Sequence, residues 1–180
     1  MNLPVVNVFL NFLRKFEINL LRRLRTIVVG RSPSSADLSA EDFERDELLR
    51  RIPSLTNGDF YAINTKTGER RFTSACFKLH PDETGLSIYS KTVIELLDLT
   101  LAAVCRKPHN AVASIPGAEP PRRALRTDPD PWPQDVPEPE HPRNAAHALI
   151  MGITAMERPQ QRDVARAFAA IAVLVHSPPD

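Results

Sequence analysis

Residues 58–90 read GDFYAINTKTGERRFTSACFKLHPDETGLSIYS, and this stretch decides the fold. Phe60 to Asn64 alternates and carries aromatic and β-branched side chains, which predicts a strand. Thr65-Lys66-Thr67-Gly68 predicts a hairpin loop, because Gly68 accepts the positive φ such a loop needs. Arg70 to Lys78 reads as the return strand, with Phe72 and Ser74 on one face and Thr73, Ala75 and Phe77 on the other. His80 to Gly85 is a second turn and Leu86 to Tyr89 a third strand.

Helices flank this run. Thr92 to Val104 reads as a helix with Val93, Ile94, Leu97 and Leu101 inward and Glu95 and Asp98 in water. His147 to Ile153 reads as a buried strand. Gln160 to Val175 reads as an alanine-rich helix with Val164, Phe168, Ile171 and Val175 on one face. The fold class expected is α+β: a small antiparallel sheet, from Phe60 to Tyr89 plus the strand at His147, packed by helices.

Upstream, Ser32 to Ala40 is a linker by composition. Ser39 can cap a helix whose third position is Asp42. The apolar residues Phe43, Leu48, Leu49 and Ile52 carry that helix to Pro53, which cannot continue it. The domain plan is therefore an amphipathic N-terminal helix over 1–30, a linker over 31–40 and one α+β domain over 41–180.

Within 1–30, Val5, Phe9, Phe12, Leu13, Phe16, Leu20, Leu24 and Ile27 share one helical face, opposite Asn7, Asn11, Arg14, Arg22 and Arg25. Phe9, Phe12, Phe16, Leu20 and Leu24 are the interface candidates. Three uses fit such a face: packing on the protein's own core, a partner helix or self-association, and an anionic membrane surface. Basic residues interrupt the apolar run, so it is no transmembrane helix, and it lacks the layout of a signal peptide.

Seventeen prolines are about twice the ordinary share, and nine of them lie between Pro116 and Pro142. Residues 108–142 are therefore expected to form an extended proline-rich bridge. Trp132, the only tryptophan, would pin that bridge to the core or present it to an aromatic groove. The net charge of +1 argues against nucleic acid as a partner. Cys76 and Cys105 form no C-x-x-C pair, which favours reduced thiols and the cytoplasm.

Three clusters are candidates for chemistry. Lys78-Leu79-His80-Pro81-Asp82-Glu83 brings an imidazole near carboxylates, a pairing that suits proton transfer. His147 opens an apolar strand and would join His80 or Asp82 if the two strands are neighbours. Arg70-Arg71-Phe72-Thr73-Ser74 is similar to the arginine and Ser-Thr-Ser elements of ADP-ribosyltransferases, without the late catalytic glutamate of that family. The expected catalytic set is His80, Asp82 and His147. No metal site and no cofactor are expected, since neither cysteine supplies a zinc spacing and no glycine-rich phosphate loop is present.

The stretch Gly58 to Tyr89, ending Asp82-Glu83-Thr84-Gly85-Leu86-Ser87-Ile88-Tyr89, resembles a group of small uncharacterised bacterial proteins with D-G-x-x-S-S-x-x-F and then G-L-S-V. Asp130 to Pro133 and His147 to Ile150 are similar to their D-P-x-P and H-A-x-I segments. Thr65-Lys66-Thr67-Gly68 departs from a simple Asp-Gly turn. The resemblance implies a shared fold unit and no established activity. The leading functional expectation is a non-enzymatic interaction or accessory module of a bacterial operon-encoded system. The alternatives are a small enzyme or toxin using His80, Asp82 and His147 on a nucleotide or nucleic acid, and a protein peripheral to the membrane.

Overall fold

The structure, a computed structural model, describes residues 32–55, 58–63, 65–68, 70–80, 82–130 and 142–177. The expected N-terminal helix and Trp132 lie outside these residues, as does most of the densest proline run. The chain divides into two units, residues 1–33 and 34–180, and every described element belongs to the second.

Eight strands and four α-helices are described: α1 (Ala40–Arg45), β1 (Glu47–Ile52), β2 (Tyr61–Ile63), β3 (Arg70–Phe72), β4 (Leu86–Ser90), α2 (Lys91–Leu96), β5 (Ala111–Pro116), α3 (Glu119–Arg122), β6 (Arg126–Pro129), β7 (His147–Met151), α4 (Arg158–Ile171) and β8 (Val173–His176). Six strands form one antiparallel sheet in the order β6-β7-β4-β1-β5-β8, and β2 and β3 form a separate hairpin. The α+β class holds, but the hairpin expected within the sheet stands apart from it, and β1, β5, β6 and β8 join β4 and β7 instead.

The helix expected from Ser39 to Ile52 is corrected to a short helix followed by a strand. Ser39 caps α1 as expected: its hydroxyl accepts the Asp42 amide at 3.2 Å while Asp42 accepts the Ser39 amide at 3.0 Å. The helix stops at Asp46, whose carboxylate accepts the Glu47 amide at 2.8 Å and the Thr92 amide at 3.1 Å. Leu48, Leu49 and Ile52 then become fully buried in β1, between β4 and β5. A central strand buries both faces, so its apolar residues need not alternate.

The region 108–142 is corrected in the same way. Ala111–Pro116 is an inner strand whose first five residues are buried, paired with β1 along its whole length. The only proline of that strand is its last residue, where a missing donor costs least. Asn110 holds the preceding turn: its side chain accepts the amides of Arg106 and Lys107 and donates to the Pro53 carbonyl at 2.8 Å. Beyond it, α3 and the edge strand β6 continue the regular structure to Pro129.

The return strand ends at Phe72, and Ser74–Phe77 is a 3-10 turn capped by Thr73. The helix after β4 ends at Leu96, and Leu101–Val104 is another 3-10 turn. The last helix ends at Ile171, and Val173–His176 forms edge strand β8. The hairpin loop is as expected, with Gly68 at φ +69°.

Register separates the faces of the sheet. Leu48, Ile88, Ala148, Ile150, Ala113 and Ile115 lie on one, and Leu49, Tyr89, His147, Leu149, Val112 and Ser114 on the other. Arg50, which pairs with Ala113 on the first face, donates to the Cys76 carbonyl at 3.1 Å and the Ser87 carbonyl at 2.6 Å. These bonds tie the 74–77 turn to the sheet. Helix α4 packs on that turn, with the Phe77 and Phe168 rings edge to face at 6.0 Å. Helix α2 packs on the 142–146 turn that leads into β7.

Candidate functional site

The second face carries the site. β4 pairs with β7 so that Tyr89 opposes His147 and Ser87 opposes Leu149. Residues two apart share a face, so Ser87 and His147 are diagonal neighbours, within reach of one hydrogen bond. Ser87 Oγ lies 2.7 Å from His147 Nε2. On the other side of the ring, Nδ1 lies 2.7 Å from the backbone carbonyl oxygen of Asp130 and 3.2 Å from its carboxylate. β6 delivers that residue: Pro129 pairs with Ala148, and the Asp130 amide returns a bond to the His147 carbonyl at 3.2 Å.

The partners fix the tautomer. A carbonyl oxygen only accepts, so Nδ1 carries the proton and donates to Asp130. Burial lowers the His147 pKa, against the bonds and charge of Asp130, which raise it. The neutral ring leaves Nε2 as the acceptor for the Ser87 hydroxyl. The Tyr89 ring stands edge-on to the imidazole at 5.4 Å and closes one side. Hydroxyl, imidazole and carboxylate thus stand in line, Ser87 and Asp130 half-buried and His147 buried between them.

His80 and Asp82 lie in the turn before β4. They are exposed, in a turn closed by the His80 amide donating to Glu83 at 2.9 Å and the Glu83 amide donating to the His80 carbonyl at 3.1 Å. β4 does neighbour β7, as the pairing idea required, but the His147 ring nitrogens meet Ser87 and Asp130. Phe9, Phe12, Phe16, Leu20, Leu24 and Trp132 lie outside the described residues. The Arg71-to-Ser74 segment lines a cavity of about 510 Å³, whose opposite wall is Arg166, Ala169 and Ala170 of α4.

Sequence reading named His147 and missed Ser87 and Asp130. The alternation of Leu86 to Tyr89 marks Ser87 as facing the same way as Tyr89. Only the β4–β7 and β6–β7 registers show that this face also holds His147 and Asp130. Among the described residues no group of three or more metal-ligating side chains occurs, and no helix is long and apolar enough to cross a membrane. Comparison with protein-family models, curated proteins and solved structures gives no match. The fold and site define an α+β protein with a serine–histidine–aspartate hydrogen-bond chain across one sheet face.

Proposed function

We propose that this protein is an enzyme that cleaves or transfers an ester-type group at Ser87. The observation that carries the reading is the chain from Ser87 Oγ through His147 to Asp130. His147 Nε2 takes the hydroxyl proton as Ser87 Oγ bonds to the electrophilic centre of the ester. The protonated ring then gives that proton to the departing alcohol as its bond breaks. Water attacks the enzyme ester, loses its proton to Nε2, and the freed acid leaves Ser87 with its hydroxyl restored. Asp130 holds the ring tautomer and offsets the imidazolium charge that forms in each half-reaction. The three residues fall in the segments Gly85–Tyr89, 130–133 and His147–Ile150, the same segments that carry the bacterial resemblance.

The test is labelling by a fluorophosphonate probe, read by peptide mass spectrometry. Ser87 should carry the adduct in the native chain, and Ser87→Ala and His147→Gln should abolish it while circular dichroism stays native. An unlabelled native protein with no esterase activity on p-nitrophenyl esters would remove this reading.

The apolar face of residues 5–28 supports a second role, an accessory module docking a protein partner or a second copy through Phe9, Phe12, Phe16, Leu20 and Leu24. Residues 1–180 should then retain a stoichiometric complex that residues 31–180 lose. Salt-sensitive binding to anionic vesicles instead would assign the same face to a membrane surface.

A further inference from the structure

Helix α4 carries Arg166, Ala169 and Ala170 at i, i+3 and i+4, so the three side chains share one stripe of the helix. That stripe meets β3 and the turn after it across a cavity of about 510 Å³. Alanine ends at Cβ, so helix and hairpin pack around a space instead of closing it. Phe72 and Ala172 complete the apolar lining, and the Tyr61 ring braces that of Phe72 at 5.5 Å. The polar lining is Arg166 with Arg71 and Ser74. Size and composition are those of a small-molecule site, which spans roughly 300–1,000 Å³ and sets a few polar groups among apolar walls.

The charge of the lining has one sign. Two guanidiniums face the cavity and no described carboxylate does. Arg71 has contacts of its own, so the anionic end of a ligand is assigned to Arg166. Arg166 Nη1 lies 3.2 Å from the Asp163 carboxylate, with the two side chains 69% and 72% exposed. Water competes for such a surface pair, and the guanidinium has further N–H groups to give a ligand. Asp163 offsets part of the Arg166 charge, which suits one negative charge on the ligand better than two. A rigid ring covers apolar walls at a smaller entropic cost than a flexible chain of equal area.

We propose that this cavity binds an aromatic carboxylate. The ring lies against Phe72 and the alanine stripe, and the guanidinium fork of Arg166 donates two N–H bonds to the carboxylate. The cavity shares no residue with the chain of Ser87, His147 and Asp130, so this site stands whether or not that chain cleaves an ester.

The experiment is calorimetric titration of the full chain with 2-naphthoate. Beside it run 2-naphthylmethanol, which has the ring without the charge, and acetate, which has the charge without the ring. Naphthoate should saturate, with the other two at least about fivefold weaker. Ala170→Leu fills the cavity and should lower naphthoate affinity about tenfold or more. Arg166→Gln removes the fork and should lower it about threefold to tenfold. Arg162→Gln, on α4 but outside the lining, should bind as wild type does. All three substitutions are at exposed helix positions and should leave circular dichroism native. No saturable naphthoate binding by wild type, equal binding of the alcohol, or undiminished affinity in Ala170→Leu or Arg166→Gln overturns the proposal. An equal loss in Arg162→Gln also overturns it, because the general charge of α4 and not the cavity would then hold the anion.

Discussion

Ser35 Oγ donates a 2.6 Å hydrogen bond to the backbone carbonyl of His147. The segment that composition marks as a linker therefore carries a 3-10 turn that closes onto the strand holding the central imidazole. Ser34 caps that turn, and its hydroxyl also reaches the Ala145 carbonyl at 3.4 Å. Ser35 is fully buried, so truncation leaves the His147 carbonyl one acceptor bond short without water to replace it. Ser35→Ala should cost about 1–2 kcal/mol in chemical denaturation. Ala36→Ser, one residue along on the exposed side, is the control and should be neutral. Equal midpoints for Ser35→Ala and wild type would show that the turn does not bear on β7.

The histidine sets an acid limit on stability. Burial depresses the His147 pKa below its ordinary value despite the bonds to Asp130. A depressed folded-state pKa means the unfolded chain takes up the proton first. The stabilising contribution is then full above the unfolded value of about 6.5 and is lost as pH falls through the folded value. Tm should be flat in this respect above neutrality and decline on acidification. His147→Gln should be less stable at neutral pH and show a shallower decline over the same window. Identical acid limbs in the two proteins would remove His147 as the cause.

The hairpin, the strand after Gly85 and the strand at His147 were legible because their patterns are local. Gly68 has to take positive φ, and Leu86 to Tyr89 alternates between turn residues. β1 was not legible: after a true helix cap at Ser39, the spacing of Phe43, Leu48, Leu49 and Ile52 satisfies a helix as well as a strand buried on both faces. What decides is the pairing with β4 and β5, which is tertiary. β5 was masked by the prolines around it, although Ala111 to Ile115 contains none. The site followed the same division. A lone histidine could be named from sequence, but Ser87 in β4 and Asp130 just past β6 reach it from 60 and 17 residues away in the chain.

Ala124 has φ +57°, a left-handed conformation without a side-chain bond to justify it, at the turn between α3 and β6. A Cβ in that region costs about 1–2 kcal/mol, and glycine returns part of that gain through the entropy of its unfolded state. Ala124→Gly should therefore stabilise the protein by up to about 1 kcal/mol. Thermal melts of the two proteins check it, and a lower Tm would show that the turn relaxes around alanine.

The two thiols should differ in reactivity. Burial pushes the Cys76 thiol up to about 11, opposed by a backbone bond and by the charge of Arg50, and its Sγ lies 3.0 Å from the Phe60 carbonyl. Cys105 is also raised by burial, but it is half-buried and the charges of Arg51 and Arg143 favour its thiolate. In the native protein near neutral pH, Cys105 should be alkylated well before Cys76, and both should react at similar rates in denaturant. Timed alkylation with peptide mass spectrometry reads both rates. Faster native modification of Cys76 would contradict its burial.

Gly117 is the position where the end of β5 meets the end of α1. Its amide donates to the Asp46 carbonyl at 2.9 Å, and a Cβ there would lie 1.8 Å from the Phe43 carbonyl oxygen and 2.8 Å from the Asp46 carbonyl oxygen. Both obstacles are backbone, so no side-chain rotation relieves them. Making room would separate β5 from the helix terminus whose last residues include buried Phe43, and would disturb the Asp46 carboxylate that receives the Thr92 hydroxyl at 2.9 Å and the Ser90 hydroxyl. Gly117→Ala should therefore cost about 3 kcal/mol or more, the range of overpacking and a lost buried bond combined. Gly58→Ala, where a Cβ would meet nothing within 4 Å, should change stability by less than about 1 kcal/mol. A urea melt of each variant beside wild type gives the comparison. Similar midpoints for the two alanine variants would mean that β5 and α1 do not approach as closely as this packing requires.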